Sequence, residues 1–145
     1  MQPTNFFIKD IKDFQSTNKN LKSLFNTNKE LPNQVFNKRC DYYLFEEFYW
    51  VMCEDFWPTV QYLTKIFNEK EVTVAVLDPY PTDYFYKEFG YFNYLQLPTS
   101  LSSEDYMNAL ETGPEDSLAD APYYNSEKVV WFSSFKKWAI WENGA

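Results

Sequence analysis

The chain has 145 residues and a mass of 17.4 kDa, which is the size of one domain. Its 21 acidic and 13 basic side chains give a net charge of -8, and it contains no histidine. Histidine is the commonest general base and the commonest metal ligand in proteins. Its absence excludes histidine-based catalytic triads, haem sites and zincin sites.

Charge is distributed unevenly along the chain. Residues 1–39 carry seven Lys or Arg and three Asp or Glu, whereas residues 40–145 carry six and eighteen. We therefore predict a single domain, 1–145, in which 1–39 is a polar, basic segment of helices and loops and 40–145 is the acidic α+β core. The sequence shows no signal-peptide pattern and no apolar stretch of bilayer length, so we expect a cytoplasmic protein that does not bind membranes.

The first half of the chain has helical patterns. Leu21, Leu24 and Phe25 have helical spacing and predict one short amphipathic helix. Asp41–Trp57 opens on a residue typical of helix N-caps and has apolar side chains at i, i+3 and i+4 spacing, which predicts a second helix. Pro58 then either kinks this helix or opens another in its first turn.

The second half has mostly strand patterns. Glu71–Leu77 is β-branched and nearly continuous in apolarity, as in a buried strand, and the aromatic Tyr84–Leu97 predicts one or two strands. Ser102 begins a helix of about two turns that Gly113 ends. Val129–Trp141 has β-formers on both sides of a polar break and predicts a closing hairpin. The predicted fold class is α+β, with N-terminal helices packed on a mainly antiparallel sheet.

The two cysteines, Cys40 and Cys53, flank a segment that is predicted to be helical. Thirteen residues of helix would separate them by roughly 20 Å, whereas a disulfide needs Cα atoms within roughly 7 Å. We therefore expect two buried thiols. Two cysteines without histidine do not make a four-ligand zinc site, and we expect no metal and no cofactor.

Sequence motifs for catalysis are absent. The chain has no Gly-rich phosphate loop, no G-x-S-x-G and no C-x-x-C. Asp78, at the end of a predicted strand, could form a carboxylate pair with Asp83 or Glu88, as glycoside chemistry needs. The simpler interpretation is that Asp78 and Pro79 begin a turn, so we expect no enzyme.

The most unusual segment is 100–127, which contains seven carboxylates and no positive charge. An acidic face of this kind repels nucleic acid and membranes, and it attracts a basic protein partner. The alternative interpretation is that the segment is a solvated face that only keeps the protein soluble. The carboxylates are Glu104, Asp105, Glu111, Glu115, Asp116, Asp120 and Glu127, of which the first six are the candidate partner-binding residues.

Aromatic residues make up 21% of the chain, and bases or sugar rings could stack on some of them. Nucleic acid is nevertheless disfavoured, since phosphate binding needs basic side chains and Arg39 is the only arginine. Tyrosine and tryptophan are also typical of protein interfaces. We therefore expect aromatic side chains both in the core and at an interface.

The C-terminal third carries a recognisable pattern. It consists of Tyr106-x-x-Ala109-Leu110, Pro114-x-x-Ser117-Leu118-Ala119-Asp120, Val129-Val130-Trp131 and Lys137-Trp138-Ala139-Ile140-Trp141. This resembles the small immunity proteins of bacterial polymorphic and contact-dependent toxin systems. The resemblance implies a protein that binds a cognate toxin domain, expected to be basic, and occludes its active or substrate-binding surface without catalysis.

Three alternatives stay open at this point. One is another acidic inhibitor, such as a phage or plasmid protein that mimics nucleic acid. Another is a domain that binds a small molecule or sugar, with Asp78 as the place to look, and the third is an enzyme. A deep aromatic pocket with raised carboxylate pKa values would favour a ligand-binding domain or an enzyme.

Overall fold

A computed structural model describes residues 6–29, 33–37 and 53–143, apart from the side chains of Asp116 and Asn143. In chain order the elements are β1 (Phe7–Ile8), α1 (Ile11–Leu24), α2 (Phe56–Ile66), β2 (Glu71–Asp78), a π-helical turn (Pro81–Phe85), α3 (Tyr86–Phe89), β3 (Phe92–Pro98), α4 (Ser103–Glu111), two 3-10 turns (Pro114–Asp116 and Leu118–Asp120), β4 (Lys128–Phe132) and β5 (Ala139–Asn143). Helices and strands are mixed along the chain, and the predicted α+β class is confirmed.

The five strands form one sheet in the order β1-β3-β2-β4-β5, and every neighbouring pair is antiparallel. β2 lies at the centre, where Val74 is paired with Leu95 on one side and with Trp131 on the other. β4 and β5 form the predicted C-terminal hairpin, with Val130 opposite Trp141. The sheet is therefore antiparallel throughout.

The central strand is buried on both faces. Val72, Val74 and Val76 point into a core that α2 and α4 cover, whereas Ala75 points into a second core under α1. Alternate residues of a strand face opposite sides of its sheet, and a nearly continuous apolar run therefore requires a cover on each face. The predicted strand at Glu71–Leu77 is confirmed.

An aromatic group anchors α4 to the first core. The rings of Trp57 and Tyr106 stack with centroids 4.5 Å apart, and the Tyr106 hydroxyl accepts a hydrogen bond from Trp131 Nε1 at 3.2 Å. Trp57 Nε1 donates to the carbonyl of Leu101 at 2.8 Å, just before the helix begins. These contacts fix α4, and with it the acidic span, against the sheet.

On the second face, α1 begins at an Asp10 cap whose carboxylate accepts from the Lys12 backbone N–H at 2.7 Å. Phe14 stacks on Phe92 with centroids 4.1 Å apart, and the Tyr94 hydroxyl donates to Asn18 Oδ1 at 3.0 Å. The helix predicted around Leu21 is therefore confirmed, although it starts ten residues earlier than that leucine.

The C-terminal hairpin has the side-chain pattern that its sequence predicts. Trp138 and Ile140 pack against the core under α2 and α4, and Ala139 and Trp141 lie on the opposite face. The buried Glu69 also secures the hairpin, since its carboxylate accepts hydrogen bonds from Ser133 Oγ and, at 2.8 Å, from Trp138 Nε1. A residue between α2 and β2 thus holds the turn between β4 and β5.

Two predictions require correction. Residues 84–89 are helical and not a strand, since Phe85 and Phe89 lie at i, i+4 spacing with ring centroids 5.3 Å apart, and Gly90 ends this helix at φ 73°. For Pro58 the second of the two predicted alternatives is confirmed, since it lies in the first turn of α2. The second correction concerns Cys53, which was predicted to be buried and is half-buried. The rest of the helix predicted at 41–57, residues 41–52, lies outside the described residues, as does Cys40.

The edge strand β5 carries a buried carboxyl, Glu142, which is 8% exposed. Burial raises its pKa from 4.5 to about 7, because desolvation disfavours the charged form. The folded protein therefore binds this proton more tightly than the unfolded chain does. Stability contributed by the neutral carboxyl is present below about pH 4.5 and is lost as pH rises through 7.

We predict that Glu142→Gln, which stays neutral, stabilises the protein at pH 8 and has little effect at pH 4.5. Urea midpoints of the variant and the unaltered chain, measured across this range, check the prediction. Glu71→Gln is the matched control, since Glu71 is exposed at the start of a strand. A stability difference between Glu142→Gln and the unaltered chain that is constant with pH would contradict the raised pKa.

Candidate partner-binding surface

The first two candidate carboxylates lie in the opening turn of α4. Glu104 and Asp105 are exposed, and Ser102 caps the helix by accepting a hydrogen bond from the Asp105 backbone N–H at 3.0 Å. Negative side chains at a helix N-terminus interact favourably with the helix dipole, by about 0.3–1 kcal/mol each. Both residues therefore stabilise α4 as well as presenting charge to solvent.

Two other candidates, Glu111 and Glu115, lie at the opposite end of α4. Glu111, the last residue of the helix, is half-buried, and seven residues of helical rise place it roughly 10 Å along the axis from Glu104. Glu115 is exposed and has a φ of 50°. The side chain of Asp116 is outside the described part of the chain. The acidic span thus separates into a pair at the start of α4 and a group beyond its end.

Asp120 differs from the others because it is buried, with 9% of its surface exposed. Its Oδ2 accepts a hydrogen bond from Ser117 Oγ at 2.6 Å, and its negative charge acts on the hydroxyl of Tyr84. Desolvation raises the pKa of Tyr84, and the negative charges of Asp120 and Glu88 and the hydrogen bonding to Asp120 raise it further. Asp120 therefore links its own turn to the segment after β2 and is not displayed to solvent.

Exposed tyrosines follow directly on this turn. The Tyr123 backbone N–H donates to the carbonyl of Leu110 at 2.9 Å, which ties the segment to the end of α4. The rings of Tyr123 and Tyr124 lie 4.9 Å apart, and Tyr124 is 56% exposed. Leu118, in the same turn, is 61% exposed.

Asp120 and Tyr84 thus connect two segments that carry exposed tyrosine, leucine and glutamate side chains, and we take these side chains together as a candidate binding surface. We call this the tyrosine–carboxylate surface. Its members are the exposed side chains of Tyr84, Glu88, Leu118, Tyr123 and Tyr124 and the buried carboxylate of Asp120, which connects the two segments.

Of these six residues, sequence reasoning named Asp120 as a partner-binding residue and missed the other five in that role. A signal was present, since the pair Tyr123-Tyr124 lies inside the span of seven carboxylates. The sequence does not indicate that Asp120 acts on Tyr84, because the two residues are 36 positions apart.

The alternative carboxylate pair, Asp78 with Asp83 or Glu88, combines a half-buried side chain with an exposed one. Asp78 ends β2 half-buried, and its carbonyl accepts a hydrogen bond from the Glu127 backbone N–H at 2.8 Å. Asp83 and Glu88 are exposed in the helical segment that follows. Within the described ranges, no three His, Cys, Asp or Glu side chains are grouped so that they could hold a metal ion.

No family model matches the chain, and no curated protein and no solved structure is significantly similar to it. In the part of the chain that the structure describes, no helix is long and apolar enough to span a bilayer.

The link between Asp120 and Tyr84 has a measurable consequence. We predict that Asp120→Asn lowers the pKa of Tyr84, because the charge of Asp120 is a cause of its elevation that the amide lacks. NMR titration of the protein with labelled tyrosine rings measures this pKa. Glu115→Gln removes a charge from an exposed neighbouring turn and should leave it unchanged, and equal effects of both variants would argue against a specific contact.

Proposed function

We propose that this chain is an immunity protein that binds a cognate bacterial toxin domain in the cytoplasm and neutralises it by covering its active or substrate-binding surface. The observation that carries the proposal is the tyrosine–carboxylate surface. The pattern at Tyr106–Asp120 and Val129–Trp141, which resembles small immunity proteins, supports the same class. The mechanism needs shape and charge complementarity and no catalytic residue of this chain.

Tyrosines suit this role because each combines a large apolar ring with a hydroxyl that hydrogen-bonds at a wet interface. Tyr84, Tyr123 and Tyr124 are all 40% exposed or more. Interface hot spots are enriched in such side chains, and truncating one often costs about 2 kcal/mol or more of binding free energy. The three rings are therefore proposed as the anchors of the interface.

The carboxylates supply the complementary charge. Toxin domains that cleave nucleic acid have basic substrate grooves, and carboxylates can occupy the positions that phosphates take there. Exposed Glu104, Asp105 and Glu115 would attract such a groove from a distance, which raises the association rate. Buried Asp120 would act differently, by holding the turn and Tyr84 in place before binding.

The alternative of a general acidic inhibitor that mimics nucleic acid uses the same charges but not the tyrosines. A mimic would bind many basic proteins, with an affinity that follows salt concentration. An immunity protein has one partner and apolar anchors. Binding to one toxin domain but not to unrelated basic proteins therefore distinguishes the two functions.

A direct test uses the C-terminal domain of the protein encoded by the gene immediately upstream as the partner, with affinity and rates measured by biolayer interferometry. We expect Tyr84→Ala and Tyr124→Ala each to weaken binding by about thirtyfold or more. Tyr62→Ala is the matched control, since Tyr62 is 66% exposed but lies on α2. An equal loss for Tyr62→Ala, or no binding of the upstream domain, would overturn the proposal.

The electrostatic part is tested separately by a charge reversal. Glu104→Lys should slow association and reduce its salt dependence, with little change in the dissociation rate. Asp13→Lys is the matched control, because Asp13 is also an exposed carboxylate in the first turn of a helix, on the other side of the sheet. Identical association rates for both variants would remove the steering role of α4.

A further inference from the structure

A cavity of about 350 Å³ lies at the end of the central strands, and none of its lining residues belongs to the tyrosine–carboxylate surface. Side chains of α1, of the turn that follows it, and of the ends of β2 and β4 line this cavity. Cavities of 300 to 1,000 Å³ are typical of small-molecule sites. The residues used below are Asn18, Lys22, Asn28, Asp78, Tyr80 and Lys128.

The charge around the cavity is opposite to that of the molecule. Lys22 and Lys128 contribute two ammonium groups and Asp78 contributes one carboxylate, whereas the whole chain carries a net charge of -8. Two of the 13 basic side chains thus border one small cavity. The lining itself thus carries one net positive charge, although the exposed Glu127 lies next to Asp78 and Lys128. Positive charge in the lining favours a small anion because it acts at short range, where carboxylates farther away are screened.

The hydrogen-bonding groups at the cavity are held in place before any ligand arrives. Tyr94 is buried, which raises its pKa and keeps its hydroxyl protonated, and that hydroxyl donates to Asn18 Oδ1 at 3.0 Å. This bond fixes the side chain of Asn18, whose amide nitrogen keeps its N–H donors. The Asn28 backbone N–H donates to Asn26 Oδ1 at 3.1 Å and so orders the turn that carries the Asn28 side chain.

The remaining groups suit a sugar. Asp78 is half-buried at the cavity wall, and a carboxylate accepts hydrogen bonds from adjacent hydroxyls. Tyr80 is 53% exposed, so that one face of its ring can lie against the apolar face of a sugar. A lone phosphate ion would use the lysines and asparagines but neither of these two residues.

We propose that this cavity binds a small sugar phosphate. Lys22, Lys128 and the amide of Asn18 bind the phosphate, Asp78 accepts hydrogen bonds from the sugar hydroxyls, and Tyr80 covers the ring. The site is a further function of the chain and does not depend on toxin binding, since none of its residues belongs to the tyrosine–carboxylate surface.

Isothermal titration calorimetry of the full chain tests this with three probes: ribose 5-phosphate, inorganic phosphate and ribose. We expect saturable binding of ribose 5-phosphate, at least about tenfold tighter than of either inorganic phosphate or ribose. Absence of saturable binding of ribose 5-phosphate would overturn the site. Equal affinity for inorganic phosphate would overturn the assignment of a sugar phosphate.

A pair of charge-reversal variants tests whether ribose 5-phosphate binds in this cavity. Lys22→Glu should weaken ribose 5-phosphate binding by about tenfold or more, because it replaces a charge-assisted hydrogen bond by repulsion. Lys19→Glu is the matched control: Lys19 is equally exposed on α1, the net charge changes by the same amount, and it does not line the cavity. Equal weakening by both substitutions would show a general charge effect and overturn the proposal.

Asp78→Asn tests recognition of the sugar separately from recognition of the phosphate. The amide is a poorer hydrogen-bond acceptor than the carboxylate, and it removes the one negative charge from the cavity wall. We expect this variant to lose most of its preference for ribose 5-phosphate over inorganic phosphate while inorganic phosphate binds as well or better. An unchanged preference would exclude Asp78 from sugar recognition and contradict the proposed mode of binding.

Discussion

Burial of β2 on both faces is the constraint on which the rest of the fold depends. Val72, Val74 and Val76 need a cover on one side of the sheet and Ala75 on the other, and each fully buried valine contributes about 1.5–3 kcal/mol. Helices α2 and α4 supply the first cover and α1 supplies the second. This requirement brings α1, from the basic N-terminal segment, onto the same sheet as the acidic part of the chain.

The same packing positions the proposed interface. The stacking of Trp57 on Tyr106 fixes α4 to the sheet, and the hydrogen bond from Tyr123 to Leu110 fixes the following segment to the end of α4. Asp120 then connects this segment with Tyr84, which lies in the turn that follows β2. The exposed tyrosines therefore lie on short turns that are held by internal contacts. Because these turns are already ordered, little conformational entropy is lost when a partner binds.

Sequence patterns were sufficient where the signal is local. The apolar run of β2, the Ser102 cap of α4 and the polar break of the hairpin each predict the observed element. Sequence patterns were misleading at 84–89, because aromatic residues at i, i+4 spacing also fit the alternation of apolar and polar residues in a half-buried strand. The burial of Tyr106 follows from its helical spacing with Ala109 and Leu110, whereas no periodic pattern around Tyr124 predicts that it is exposed. The contact of Asp120 with Tyr84 depends on the packing of separate elements, which no local pattern encodes.

In the proposed function, the partner docks on the tyrosine–carboxylate surface. Hydrogen–deuterium exchange of the chain, alone and in complex with the C-terminal domain encoded upstream, tests this claim without any substitution. The account predicts slower exchange on binding in residues 83–89 and 117–127, with α1 and α2 unchanged. Protection confined to α1 or α2, with unaltered exchange in those two loops, would contradict it.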